Sequence, residues 1–166
     1  MKIKDAVISL DKTDLHILRA LEEDARQSYA QIGKQLGIAH STVYDRIRKM
    51  EQQGIIKGYT TRTNTERAGI RSITAIMTIY ADPKETEAVA QKLSKFPQTL
   101  EVSTSLSEEL IIIVKVEAPD QESLHEFIAN SVAPLPGVLR IRTSIVTKKF
   151  KETPSSIENK TRSQDL

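Results

Sequence analysis

The chain has 166 residues, of which 39% are apolar, enough for one large or two small packed domains. The absence of cysteine excludes disulfide bonds, thiolate nucleophiles and cysteine-based zinc sites. No apolar run approaches the roughly 18 residues of a membrane span, and no hydrophobic segment follows the basic start as in a signal peptide. We therefore expect a cytoplasmic protein with no membrane partner.

Positive charge is concentrated in the N-terminal part of the chain. Residues 1–65 carry 11 Lys and Arg against 8 Asp and Glu, whereas the formal net charge of the whole chain is +2. This local excess is a weak indication of a polyanionic partner, because most charged surfaces are simply solvated. Its meaning depends on where the cations lie.

Two short helices are predicted at the start of the chain. Asp11 is placed to cap the first, which carries leucines at three-residue spacing and ends near Glu23. Ser28 begins the second, and Gly37 ends it because glycine readily adopts the left-handed conformation of a helix end.

A third helix follows the turn at Gly37, and it ends at Gly54. Its apolar side is formed, at i, i+4 and i+7, by Val43, Ile47 and Met50. The order of helix, short helix, glycine turn and helix is typical of a helix-turn-helix domain, which we place at residues 1–62. Residues 55–62 are rich in β-formers, so the domain is predicted to be winged-helix-like, and residues 63–71 read as a linker.

The pattern changes at Ser72 to the two-residue alternation of a strand. The elements predicted from there are, in chain order, a strand from Ser72, a helix opened by Asp82-Pro83, strands Thr99–Thr104 and Leu110–Glu117, a helix capped by Asp120, and a strand Val138–Thr147. The residues predicted to face inward from the two helices are Thr86, Val89, Leu93 and Phe96, then Leu124, Phe127, Ile128 and Val132. This order predicts a βαββαβ, ferredoxin-like domain at residues 72–150, and hence an α+β protein.

The third strand suggests a partner subunit. A βαββαβ domain has both helices on one face of the sheet, yet the segment 110–114 is apolar at every position and should be covered on both faces. We therefore expect at least a homodimer. Residues 151–166 are polar, contain Pro154 and lack an apolar stripe, which predicts a mobile tail.

The outward side of the third helix combines cations with hydroxyl groups. The residues predicted to bind double-stranded DNA are Lys34, His40, Ser41, Thr42, Tyr44, Asp45, Arg46, Arg48 and Lys49. Arg48 and Lys49 can donate to guanine or phosphate, and Asp45 can accept from cytosine or orient Arg48. Arg46 points to the flank of the helix, so we assign it to a backbone phosphate or to an internal ion pair.

Four stretches of this sequence carry a family resemblance: LDKTDLHIL at 10–18, STVYDRI at 41–47, MEQQGIIKGY at 50–59 and LPGV at 135–138. On these the chain resembles the Lrp/AsnC, or feast/famine, regulators, over residues 10 to about 150. The resemblance implies a transcription regulator that dimerises through its C-terminal sheets, assembles further into tetramers or octamers, and binds a small effector, commonly an amino acid, between dimers.

The resemblance also implies an effector site, at which the sequence departs from the family pattern. Where the family reads Gly-Asp-x-Asp, this chain has Ser105, Leu106, Ser107, Glu108 and Glu109. Backbone amides there can hold a carboxylate and an acidic side chain an ammonium group, but the missing glycine narrows the conformations available. By resemblance the same cavity is lined by Thr143, Ser144 and Ile145. The alternative is an ordinary acidic hairpin. A second departure is Ala39, which replaces the serine that caps the third helix, so the cap comes from His40 or Ser41 or is absent.

The two alternatives to a regulator are an enzyme and an architectural DNA-binding protein. An enzyme would need a nucleophile, a metal cluster or an acid-base pair, whereas His16, His40 and His125 stand at no ligand spacing and no glycine-rich phosphate loop is present. We therefore expect neither catalysis nor a cofactor or metal. An architectural DNA-binding protein without an effector has the same chemistry as a regulator and differs only in selectivity.

Overall fold

The computed structural model describes residues 9–61, 63–65, 67–106 and 109–151. The chain divides into two compact units, one formed by the residues before 63 and the other by residues 63–151. The predicted polar tail beyond Lys151 lies outside the described residues, as do Ser107 and Glu108 of the predicted effector loop. None of the helices in the described ranges is long and apolar enough to cross a bilayer.

Three helices form the first unit: α1 (Lys12–Glu23), α2 (Tyr29–Leu36) and α3 (His40–Gln52). The predicted caps of the first two are confirmed. The Asp11 carboxylate accepts a hydrogen bond from the Asp14 backbone N–H at 2.8 Å, and the Asp14 carboxylate accepts one from the Asp11 N–H at 3.1 Å. Ser28 and Gln31 form the same reciprocal box at α2. Each box satisfies amides that have no partner within the helix.

The three helices enclose one apolar core whose fully buried members are Ile17, Ile32, Val43, Ile47 and Met50. The buried stripe predicted for α3 is thus confirmed. After Gly54 the segment 55–61 contains no strand. Ile55 and Ile56 pack against the core instead, and their N–H groups donate to the Met50 carbonyl at 2.9 and 3.2 Å. Despite its β-forming composition, the segment 55–61 therefore forms no wing, and only its first two residues pack against the core.

The turn between α2 and α3 requires glycine twice. Gly37 has φ +68°, the left-handed conformation predicted for it. Gly33 lies in α2 where a Cβ atom would stand 2.7 Å from the Ile38 carbonyl oxygen, too close for any side chain. The Ile38 N–H donates to the Gly33 carbonyl at 2.9 Å. These contacts hold the two helices of the helix-turn-helix together.

The second unit is a four-stranded antiparallel sheet with helices, in the predicted βαββαβ order. Its elements are β1 (Ile73–Ala81), α4 (Thr86–Leu93), β2 (Thr99–Leu106), β3 (Leu110–Ala118), α5 (Gln121–Phe127), which continues as a π-helical turn (Ile128–Val132), and β4 (Val138–Ile145). The strands lie side by side as β2-β3-β1-β4, so β2 and β4 are the edges.

Three predicted boundaries were wrong. The first helix of this unit, α4, begins at Thr86 and not at Pro83, because the Asp82 side chain and carbonyl accept from Lys84 N and Glu85 N at 2.9 Å each and close a turn first. Strand β2 runs two residues further than predicted, to Leu106, and β4 ends two residues earlier, at Ile145.

The sheet has one buried face and one open face. Ala75, Met77 and Ile79 of β1 and Ile112, Val114 and Val116 of β3 are fully buried beneath the helices. The alternate residues form what we call the open face, whose members are Thr74, Ile76, Thr78, Tyr80, Glu101, Ser103, Ser105, Ile111, Ile113, Lys115, Glu117, Arg140, Arg142 and Ser144. Its two central strands carry Ile76, Ile111 and Ile113 among polar residues, and the Ile111 and Ile113 side chains are only partly buried within one chain.

Candidate nucleic-acid interface and effector site

The outward side of α3 has the predicted composition. Opposite its buried stripe, the exposed residues are His40, Ser41, Thr42, Tyr44, Asp45, Arg48 and Lys49, and Lys34 is exposed on α2. Within the described part of the chain, no ion pair or hydrogen bond engages the Arg48 or Lys49 side chain. Asp45 therefore does not orient Arg48 in this structure. Both cations are available for phosphate oxygens or base edges.

Arg46 serves inside the unit. Its Nη1 lies 2.6 Å from Asp11 Oδ2 and 2.7 Å from Asp14 Oδ1, which joins the middle of α3 to the start of α1. The N–H of Asp14 and then the Arg46 guanidinium hold the pKa of Asp11 below its ordinary value, and the two carboxylates raise the pKa of Arg46. Of the two roles predicted for Arg46, the structure shows the internal ion pair, which positions α3 against the start of α1.

The start of α3 has no side-chain cap. Ala39 stands at the capping position, and neither His40 nor Ser41 supplies a capping side chain in its place. The first turn is closed by the backbone hydrogen bond from Val43 N–H to the Ala39 carbonyl, at 3.2 Å. Unpartnered amides at a helix start attract anions, including phosphate oxygens. The absence of a cap is therefore compatible with a helix whose N-terminal residues approach DNA.

Two aromatic contacts of this unit were missed by the sequence analysis. The rings of Tyr29 and Tyr44 lie 5.7 Å apart between centroids and tilt by 55°, so Tyr44 on α3 is steadied by the start of α2. The Tyr59 hydroxyl donates to the Glu51 carboxylate at 2.9 Å. No spacing in the sequence indicates either contact, because each joins residues on different elements.

The predicted effector residues do not share one cavity within a single chain. Ser105 pairs with Ile111, in the row of the sheet that holds Tyr80 and Arg140. Thr143 pairs with Met77, three residues further along β4. With strand spacings of about 4.8 Å and a rise of about 3.4 Å per residue, the two groups stand about 14 Å apart across the sheet and about 10 Å along it. A cavity lined by both groups is therefore not formed by one chain alone.

Both groups are largely exposed. Leu106 is 79% exposed and Glu109 is exposed, beside Ser107 and Glu108, which lie outside the described residues. Thr143, Ser144 and Ile145 are exposed on the edge strand β4. Each group is therefore accessible to a second molecule.

The histidines are as dispersed as the sequence suggested. His16, His40 and His125 are all exposed, and they lie on different helices. Over the described ranges, no group of three or more His, Asp or Glu side chains is arranged to hold a metal ion.

A helix-turn-helix with unpaired cations on its third helix, joined to a separate βαββαβ unit, defines a DNA-binding regulator. Family models agree over both units: residues 10–51 match the AsnC-type helix-turn-helix domain and residues 74–156 match the Lrp/AsnC ligand-binding domain. The chain belongs to the Lrp/AsnC family of transcriptional regulators.

Curated relatives support this membership, and solved structures share the fold. The regulator LrpA of Pyrococcus horikoshii is 34% identical over 86% of this chain and 99% of its own length, and AzlB of Bacillus subtilis is 35% identical over 89% and 95%. Escherichia coli AsnC superposes with a TM-score of 0.78 at 24% identity over 89% of this chain and 99% of that one. A regulator of Neisseria meningitidis in complex with L-methionine gives 0.77 at 23% identity, over 92% and 99%.

Proposed function

We propose that this regulator binds operator DNA through Arg48, Lys49 and the hydroxyl-bearing residues around them on α3. The observation that supports it is the exposure of these two cations, without an intramolecular partner among the described residues, on a helix that is held by its buried stripe and by Arg46. A rigid helix that presents free donors loses little entropy on binding and suits a major groove.

Replacing Arg48 or Lys49 with alanine tests this interface. We expect Arg48→Ala to weaken operator binding by about 1–3 kcal/mol and to relax base preference at one position, because an arginine can read a base edge. Lys49→Ala should weaken binding to all sequences alike and reduce its salt dependence if it contacts a phosphate. The measurement is a titration of selected DNA at several stated salt concentrations. Lys92→Ala, on α4, is the control, and unchanged affinity in both α3 variants would refute the interface.

We further propose that two chains pair through the open face. One α3 reads only a half-site, and two half-sites one helical turn apart, about 34–36 Å, call for a two-fold axis. A second copy supplies that axis and also covers Ile76, Ile111 and Ile113, which a single chain leaves partly exposed. Polar and charged residues of β2 and β4 would then form the rim.

An amino-acid effector is proposed for the C-terminal unit. The solved relative that was captured with L-methionine supports this ligand class. Because the two groups of predicted effector residues lie apart in one chain, we infer that a cavity formed from both requires another subunit. Binding would then favour one assembly, and a tenfold preference corresponds to about 1.4 kcal/mol. The effector would act through subunit placement and not by touching DNA.

Calorimetry with the twenty amino acids, each added alone at millimolar concentration, tests this site. We expect heat from one or a few of them, and weaker binding in a Glu108→Gln, Glu109→Gln double variant because an ammonium group would lose its carboxylate partner. Half-site recognition should not change. Glu122→Gln on α5 is the matched control. If the wild type gave no heat, or if the double variant bound as well as the wild type, residues 105–109 would be an ordinary acidic hairpin and not an effector site.

The alternative is an architectural protein that coats DNA without an effector. The glycine-free loop favours it, since fewer conformations are open for binding a carboxylate. Footprinting on random and native promoter DNA at stated salt separates the two, because coating requires no preferred site.

A further inference from the structure

The contact between Tyr59 and Glu51 joins α3, the recognition helix of the proposed function, to the segment that leads into the linker. Glu51 lies in the last turn of α3, where a carboxylate opposes the helix dipole and gains from a donor. The Tyr59 hydroxyl is that donor, at 2.9 Å. Tyr59 also lines a shallow cavity together with Leu21, Ala25 and Tyr29, residues near the end of α1 and the start of α2.

Partial burial, and then the hydrogen bond to Glu51, raise the pKa of Tyr59 to about 12. The hydroxyl therefore keeps its proton, and remains a donor, at any pH at which the protein works. The two residues that follow, Thr60 and Thr61, are exposed and make no hydrogen bond within the described ranges. Among the described residues that precede the linker, Tyr59 is thus the last one hydrogen-bonded to the helices.

We propose that the Tyr59–Glu51 hydrogen bond sets where the linker leaves the recognition helix, and so restricts which spacings between half-sites the dimer accepts. This inference rests on the proposed function, since it requires two recognition helices on one DNA duplex. Without the bond, the nearest anchored residue is Ile56, whose N–H donates to the Met50 carbonyl. Three more residues, 57–59, then lie between the last anchored residue and the linker, and they add at most about 10 Å of reach to each DNA-binding unit.

That additional reach is large compared with the geometry of the duplex. One base pair advances about 3.4 Å along the helix axis, and half-sites on one face repeat about every 34–36 Å. A short linker with a fixed origin penalises any spacer that places the half-sites off register. A longer linker lowers the effective concentration of the second DNA-binding unit at the preferred half-site spacing. It also allows that unit to reach half-sites at more spacings. Tyr59 and Glu51 are positioning residues in this scheme and touch no DNA.

The test uses the full-length wild type and Tyr59→Phe, which removes the hydroxyl and keeps the ring. Sites selected by each protein from random-sequence DNA should show one sharp half-site spacing for the wild type and a broader distribution for the variant. On a selected site lengthened by half a turn, the wild type should lose affinity, and Tyr59→Phe should lose about fivefold less, the net effect of one hydrogen bond. Both should bind an isolated half-site equally.

Two variants of Glu51 show whether the bond itself is responsible. Glu51→Ala should reproduce the effect of Tyr59→Phe, and Glu51→Gln, which keeps a carbonyl acceptor, should have a smaller one. The Tyr59→Phe, Glu51→Ala double variant should show no further loss than either single variant. The inference would be overturned if the wild type and all variants showed the same spacing penalty, or if the variants lost equal affinity on half-sites and full sites. Either result would leave the proposed function intact. Failure of the wild type to select any site would overturn the proposed function as well.

Discussion

Replacing Gly137 with alanine is expected to destabilise the C-terminal unit by about 2–5 kcal/mol. Two costs combine at this position. Gly137 has φ +92°, where an L side chain is strained, and a Cβ atom would stand 2.5 Å from Glu85 Cβ and 3.4 Å from Val89 Cγ2. The backbone has little room to relax, because the Gly137 carbonyl accepts from Asp82 N at 2.8 Å. Denaturant unfolding of the full chain measures the loss.

Gly69→Ala is the matched control for this prediction. Gly69 also has a positive φ, +71°, but no atom lies within 4 Å of the Cβ that would be added. The control should therefore cost only the backbone strain, about 1–2 kcal/mol. If Gly137→Ala were no more destabilising than Gly69→Ala, the close approach between β4 and α4 would not contribute to stability.

Placing a carboxylate at Ile113 is expected to dissociate the proposed dimer. Ile113 lies at the centre of the open face, paired with Thr78 on β1 and Ser103 on β2. A second sheet packed there would bury the Asp of Ile113→Asp without a partner, which costs several kcal/mol and corresponds to at least about a hundredfold weaker association. Operator affinity should fall with it, because a single α3 reads one half-site.

Light scattering at micromolar concentration measures the assembly against the chain mass of 18.6 kDa. The wild type should be at least dimeric and Ile113→Asp monomeric. Gln91→Asp adds the same charge on the exposed side of α4 and should leave the assembly unchanged. A monomeric wild type, or a variant that assembles like the wild type, would contradict pairing through the open face.

The elements that depend on neighbours in sequence were predicted well. The caps at Asp11, Ser28 and Asp120 are confirmed, since a capping side chain reaches an amide only three residues ahead. The period of α3 identified its buried residues correctly. The start of α4 was predicted too early, because the turn at Asp82 competes locally with the helix, and composition does not decide between them.

For the candidate sites, too, local features were predictable and contacts between separate elements were not. Sequence patterns alone were enough to predict the two units, the buried stripe of α3 and the side of α3 that carries Arg48 and Lys49, because helical and strand periods place residues on defined faces. The folded chain was needed to show that Arg46 pairs with Asp11 and Asp14, that Tyr59 bonds Glu51, and that Ser105 and Thr143 lie apart on the sheet. Each of these contacts depends on how separate elements pack or on the register in which strands pair. Local periodicity in the sequence predicts neither of them.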